Sequence, residues 1–158
     1  MPAREDESFV VGIGALRRSE TRRQEFHLEA PIADLRVIDT HVPDGAALSL
    51  DVVLEAVPGG VMVSGTVRAP YVGDCRRCLG PARGEVEAAV RELVTSVADP
   101  DTEYRIEGEL LDLRPLAHDA CILELPLAPL CREGCLGLCP ECGADLNAGP
   151  HACPPTGG

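Results

Sequence analysis

Between residues 48 and 69 the apolar side chains fall on every second position, and this pattern constrains the fold more than any other feature of the chain. Leu48, Leu50, Val52, Leu54 and Ala56 alternate with Ser49, Asp51, Val53 and Glu55; Val61, Val63, Gly65, Val67 and Ala69 resume the alternation after Pro58-Gly59-Gly60. A strand sends successive side chains to opposite faces, so a period of two demands a sheet with one face on a core. A helix would spread the same residues around its circumference. Proline and glycine between the two runs supply turn chemistry, and the segment is expected to be a β-hairpin.

Weaker strand candidates flank it at Phe26 to Ala30 and Val37 to Val42. Glu85 to Val97 carries Val86, Ala88, Val90 and Val94 at strand spacing, although Ala89, Leu93 and Val97 blur the period; it is read as a strand. The acidic stretch 99 to 112 is poor in hydrophobes and is expected to be an exposed loop or edge. A helix is expected from Asp112 onward. Asp112 can cap it, Pro115 suits its first turn, Leu116, Ala120 and Leu123 share a face, and Pro126 and Pro129 end it. The fold class is therefore α+β: an antiparallel β meander with one main helix and a C-terminal zinc-binding tail. Three regions follow: a polar, arginine-containing N-terminal segment (1–24), the α+β core (25–130) and the cysteine-rich tail (131–158). At 158 residues the chain can bury a real core, and with aromatics at 3% that core must be aliphatic.

The tail holds the sharpest chemical signal. Cys139 and Cys142 enclose two residues and are followed by Gly143, the zinc-knuckle arrangement, in which a tight turn aims two thiolates at one metal and glycine permits a positive φ. Zinc takes four ligands, so the knuckle needs two more. Cys131 and Cys135 are nearest in sequence and are the first choice; His151 and Cys153 lie close enough to replace either. Enough thiolates are present to close the shell, which makes the expected zinc structural rather than catalytic. Cys75 and Cys78 form a separate C-x-x-C with three readings: a half-site completing one zinc with Cys139 and Cys142, a redox pair, or reduced thiols in a turn near the core. Cys121, within the expected helix, is read as packing.

The formal charge is -12, a field that repels phosphate and disfavours broad nucleic-acid binding. Arg17, Arg18, Arg22 and Arg23 form the one basic patch, read either as a solvated turn or arm, or as a docking contact. No phosphate-binding glycine loop, H-E-x-x-H or nucleophile elbow is present, and His27, His41, His118 and His151 are scattered; no catalytic residue is assigned. The acidic start, Met1 to Glu7, does not read as a signal peptide, and no apolar run reaches membrane-spanning length. A cytoplasmic, reducing location is expected, where metal binding or thiol chemistry outranks a disulfide framework.

Four segments taken together resemble the YceD family of bacteria and plastids: Gly73-Asp74-Cys75-Arg76-Arg77-Cys78-Leu79, Asp112-Leu113, Leu125-Pro126-Leu127-Ala128-Pro129-Leu130-Cys131, and Cys135 to Asn147. The similarity runs from about residue 35 to 153. The resemblance implies a role in accumulation or processing of large-subunit ribosomal RNA and in ribosome assembly. With the charge, it leads to the expectation of ribosomal or rRNA-processing proteins as partners, with ribosomal RNA touched only through Arg17 to Arg23 or through Arg76 and Arg77. Two other functions stay open: a thiol redox enzyme using Cys75 and Cys78, and a zinc-stabilised protein-interaction or regulatory module.

Overall fold

The computed structural model describes residues 8–20, 22–97, 101 and 104–154. In chain order its elements are β1 (Val10–Gly12), α1 (Gly14–Arg18), β2 (Arg23–Pro31), β3 (Thr40–His41), β4 (Ala47–Val57), β5 (Gly60–Asp74), β6 (Pro81–Thr95), β7 (Ile106–Glu107), β8 (Leu110–Asp112) and α2 (Arg114–Glu124), followed by a 3-10 turn at Leu146–Ala148. Every strand pairing is antiparallel, and α2 is the one main helix, so the fold is α+β.

The alternating run becomes the β4–β5 hairpin. Val57 pairs with Gly60 across Pro58 and Gly59, and Gly59 takes φ 88°, a conformation that costs glycine nothing. The main sheet has β2, β4, β5 and β6 side by side; β6 pairs with β5 over its whole length, and β3 shares the other edge of β5 beyond the reach of β4. One face of this sheet is buried: Leu48, Leu50, Val52 and Leu54 of β4 stand beside Val61, Val63 and Val67 of β5, and Val86, Val90 and Val94 complete it from β6. Phe26 and Leu28 of β2 pack against the same cluster. The opposite face carries Arg23, His27, Asp51, Glu55 and Arg68, linked in cross-strand ion pairs, with Glu25 beside Arg23 on β2.

Helix α2 lies across β5 and β6. The Asp112 carboxylate accepts from the Arg114 N–H at 2.9 Å, Pro115 occupies the first turn, and the chain leaves helical geometry at Leu125, before Pro126. Its buried face is Leu116, Ala117 and Cys121, flanked by Leu113 and Leu125. Leu123, expected on that face, is instead 83% exposed. Leu116 and Cys121 already fix the stripe, and Leu123, two residues on at about 100° each, stands roughly 200° around from Cys121 on the far side.

Two regions read as solvated in the sequence contribute to the core. Phe9, Val11, Ile13 and Leu16 are buried, because β1 pairs with β8 (Val11 opposite Leu111) and α1 packs on β4. The solvated arm is thus confined to the arginines: Arg17, Arg18, Arg22 and Arg23 are exposed. The acidic stretch likewise supplies β7 and β8, with Leu111 fully buried. Asp99 and Glu103 lie outside the described residues, as does Met1 to Glu7. Val37 to Val42 yields only the two-residue β3 and a single bridge between Arg36 and His41.

The feature that positions the functional site is the excess length of β5 and β6. Beyond Arg68, where pairing with β4 stops, the two strands continue as a ribbon through Asp74 opposite Pro81. Residues 75–80 form the tip of that ribbon, and this tip is the first C-x-x-C.

Candidate metal centres

Both C-x-x-C turns fold alike. At the ribbon tip the Cys75 N–H donates to the Gly80 carbonyl at 2.7 Å and the Leu79 N–H to the Cys75 carbonyl at 2.9 Å. In the tail the Cys139 N–H donates to Ala144 at 2.8 Å and the Gly143 N–H to Cys139 at 2.9 Å. The residue after the second cysteine has positive φ in each, 61° at Leu79 and 76° at Gly143. Backbone N–H groups then point at the first sulfur of each turn. Those of Cys78, Cys131 and Arg77 bring the Cys75 thiol down to about 6 against the pull of burial, and those of Cys142 and Glu141 do the same for Cys139.

The segment after α2 delivers the next two thiols to the ribbon tip. Thr40, buried, donates through its hydroxyl to the Pro126 carbonyl at 2.7 Å, and the Arg76 N–H donates to Pro129 at 2.9 Å. Cys131 and Cys135 follow directly. Cys75 Sγ lies 3.8 Å from Cys135 Sγ and Cys78 Sγ 3.7 Å from Cys131 Sγ; all four sulfurs fall within 4.8 Å of one another. The Arg77 guanidinium donates to the Cys135 carbonyl at 2.9 Å, and Gly137, with φ 82°, passes so close that a Cβ there would stand 3.0 Å from the Arg77 carbonyl oxygen.

A second cluster lies wholly within the tail. Cys153 Sγ approaches Cys139 Sγ at 3.3 Å and Cys142 Sγ at 3.8 Å, while His151 Nε2 lies 3.2 Å from Cys142 and 3.4 Å from Cys153. These four donors also fall within 4.8 Å of one another.

The spacing can be compared with what a metal requires. Four sulfurs at about 2.3 Å from a central zinc form a tetrahedron with edges of about 3.8 Å, and imidazole shortens its edges slightly. The sulfur pairs at 3.7 and 3.8 Å match, and the second cluster is a little tighter at 3.2–3.8 Å. Both donor sets could therefore hold a metal ion. All eight cysteines are free thiols. The close approach of the thiols raises one in each set: the neighbouring Cys135 pushes Cys131 up to about 12, and Cys139 does the same to Cys153.

The expected ligand residues are thus all near a metal-sized space, but they are partitioned differently from the first reading. Cys131 and Cys135 do not join Cys139 and Cys142. The former pair meets Cys75 and Cys78, and the latter meets His151 and Cys153. The three-residue gap between Cys135 and Cys139 is too short to fold both pairs around one centre while Gly137 and Leu138 are held against the first turn, where the Leu138 N–H donates to Arg77 at 3.1 Å. Cys121 stands apart, fully buried in the core, its thiol pushed up to about 11 by burial. The one residue that sequence reasoning missed is Asn147, whose amide touches Cys135 at 3.5 Å.

Comparison with known proteins places this geometry in context. The model of the family described as "Large ribosomal RNA subunit accumulation protein YceD" matches residues 63–157. An uncharacterized protein of Mycobacterium tuberculosis (strain H37Rv) is 47% identical over 116 residues, covering 69% of this chain and 56% of its own length. One from Mycobacterium leprae is 40% identical over 113 residues, covering 67% of this chain and 52% of its own. The chain spans about half the length of these relatives. No solved structure matches it. Among the described residues, no helix is long and apolar enough to cross a membrane.

Proposed function

The chain belongs to the YceD family, and from that premise we propose that it is a cytoplasmic, non-catalytic factor in large-subunit ribosomal RNA accumulation and ribosome assembly, with two structural zinc ions. The observation that carries the reading is the family match over residues 63–157, which takes in both C-x-x-C turns.

The donor sets support a structural role for the metal. Bound zinc would supply the positive charge that lets four crowded thiolates ionise together. Cys75, Cys78, Cys131 and Cys135 would hold one ion, and Cys139, Cys142, His151 and Cys153 the other. Four protein donors close each shell and leave no position for an activated water. The first site fastens the tail to the tip of the β5–β6 ribbon; the second rigidifies the tail itself.

The surface favours protein partners, namely ribosomal or rRNA-processing proteins. The net charge of -12 opposes long-range attraction to RNA, and half of the basic patch is already paired. Arg18 lies 2.8 Å from Glu109, and Arg23 lies 3.6 Å from Glu25 and 3.7 Å from Glu55. Arg77, though exposed, is engaged with the Cys135 carbonyl. RNA contact is left to Arg22 and Arg76, and to Arg17 once it gives up its bond to the Ser96 hydroxyl at 3.3 Å.

The test is depletion of the protein in its host, followed by the ratio of large- to small-subunit ribosomal RNA and gradient profiles of the subunits. A fall in the large-subunit species, restored by the wild-type chain, is expected. An unchanged ratio with normal precursors removes the ribosomal reading.

A further inference from the structure

We propose that Asn147 is a positioning residue that couples the two metal sites, so that loading the Cys139–Cys142–His151–Cys153 site raises the affinity of the Cys75–Cys78–Cys131–Cys135 site. The inference rests on the reading of both clusters as zinc sites.

Asn147 belongs to one site by sequence and to the other by contact. It sits in the 3-10 turn Leu146–Ala148, between Cys142 and His151, inside the loop that the second site would close. Its amide nevertheless faces the first site: Nδ2 donates to Cys135 Sγ at 3.5 Å and to Asp145 Oδ1 at 2.9 Å. Oδ1 accepts from the Leu136 N–H and from the Arg132 guanidinium, both at 2.8 Å.

These partners fix which end of the amide is which. A thiolate and a carboxylate can only accept, while a backbone N–H and a guanidinium can only donate, so the reversed amide would lose all four bonds. In the observed orientation both hydrogens and both lone pairs are used. Asp145 holds the arrangement from behind, accepting also from the Asn147 backbone N–H at 2.9 Å.

The turn depends for its order on the polar bonds of Asp145 and Asn147. It is three residues long with none buried, and an isolated 3-10 turn of that length is not stable. Among the described residues, its flanks are joined to the segment that follows Cys135 by the Leu138–Asp145 bridge, the Leu146 N–H bond to Gly137 at 2.9 Å and the Cys139 N–H bond to Ala144 at 2.8 Å. Closure of the second site across Cys142 and His151 would therefore pay the ordering entropy that presents Asn147 to Cys135. Linkage makes the effect reciprocal. Hydrogen bonds to metal ligands from outside the coordination shell are worth about 10- to 100-fold in affinity, which sets the expected scale.

The experiment is cobalt(II) titration of the full-length apo chain, followed by zinc competition against a chelator. The two donor sets have different ligand-field and thiolate charge-transfer bands, so each site reports separately. Asn147→Ala is expected to weaken the all-cysteine site at least 10-fold, and Asn147→Asp, which places a carboxylate against a thiolate, by more. His151→Ala with Cys153→Ser should remove the second site and weaken the first by a similar factor. Combined with Asn147→Ala, it should weaken the first site no further. Far-UV circular dichroism of the zinc-treated variants checks that the sheet is intact. Two ions that bind independently, or effects of Asn147→Ala and second-site loss that multiply, would overturn the coupling while leaving the zinc reading standing. A wild-type chain that takes up no cobalt or zinc would overturn both.

Discussion

Removing the first metal site should destabilise the whole fold, whereas removing the second should do so far less. Cys78 and Cys131 are 53 residues apart in sequence, and between them lie β6, β8 and α2, which supply much of the core. Treated as a cross-link, a closed loop of that length removes unfolded-state entropy worth roughly 4 kcal/mol, if a metal clip acts as a disulfide does in the chain-entropy model. For a chain of this size each 1 kcal/mol moves the melting temperature by about 2–4 °C, giving a loss of roughly 8–16 °C. Cys139 and Cys153 are only 14 residues apart, and the loop between them buries no side chain in the hydrophobic core. Its cross-link constrains a segment that the sheet does not depend on. Melts of zinc-loaded protein followed by circular dichroism at strand wavelengths should show Cys78→Ser with Cys131→Ser melting far below wild type, and His151→Ala with Cys153→Ser only about 3–6 °C below it, the roughly 1.4 kcal/mol that a tenfold weaker first site implies. Equal shifts for the two double variants, or a first-site variant that melts like wild type, would refute the reasoning.

Three further outcomes are expected. Leu79 holds φ 61° with its side chain 69% exposed, a conformation costing an L-residue about 1–2 kcal/mol, so Leu79→Gly should raise stability by up to about 1 kcal/mol in denaturant titration once glycine's own entropy is subtracted. Phe9 is fully buried, and Phe9→Ala should cost about 3–5 kcal/mol by the same titration; a cost under 1 kcal/mol would mean that the N-terminal segment is not docked. Cys75 and Cys139 lie below their ordinary thiol value, at about 6, so their thiolates are favoured in the fold above that pH and the stabilisation is lost as pH falls through it. Cys131 and Cys153, held near 12, must instead give up protons to bind a metal at neutral pH. Zinc addition at pH 7.5 in weak buffer should therefore release protons, and zinc affinity should fall steeply below about pH 6.

The sheet was largely legible because its signal is local. Two-residue alternation in β4 and β5 and the Pro58-Gly59 turn identify a hairpin without knowledge of anything distant, and β6 follows from Val86, Ala88, Val90 and Val94. The small sheet was not. Phe9, Val11 and Ile13 do alternate, but over so few positions and beside so many glycines that only their partner, Leu111, reveals their purpose. That partner is about a hundred residues away inside an acidic stretch, where charge obscured three apolar positions. The second correction concerns the cysteines. Proximity in sequence favours Cys131, Cys135, Cys139 and Cys142 as one set, whereas the fold brings in Cys75 and Cys78 on a ribbon whose overhang beyond β4 no local pattern announces. A count was available: with Cys121 assigned to packing, seven cysteines and His151 make two sets of four, and the two C-x-x-C turns would each require their own centre. Asn147 carried no signal, since nothing in one sequence distinguishes an asparagine that binds a thiolate from one that caps a turn.

Metal stoichiometry tests the two-centre arrangement most directly. Protein purified without chelator and analysed by native mass spectrometry and elemental analysis should carry two zinc ions per chain, falling to one with Cys75→Ser and Cys78→Ser and to one with His151→Ala and Cys153→Ser. A single ion that survives both pairs of substitutions would contradict it, as would a folded wild-type chain with no metal and freely titrating tail thiols.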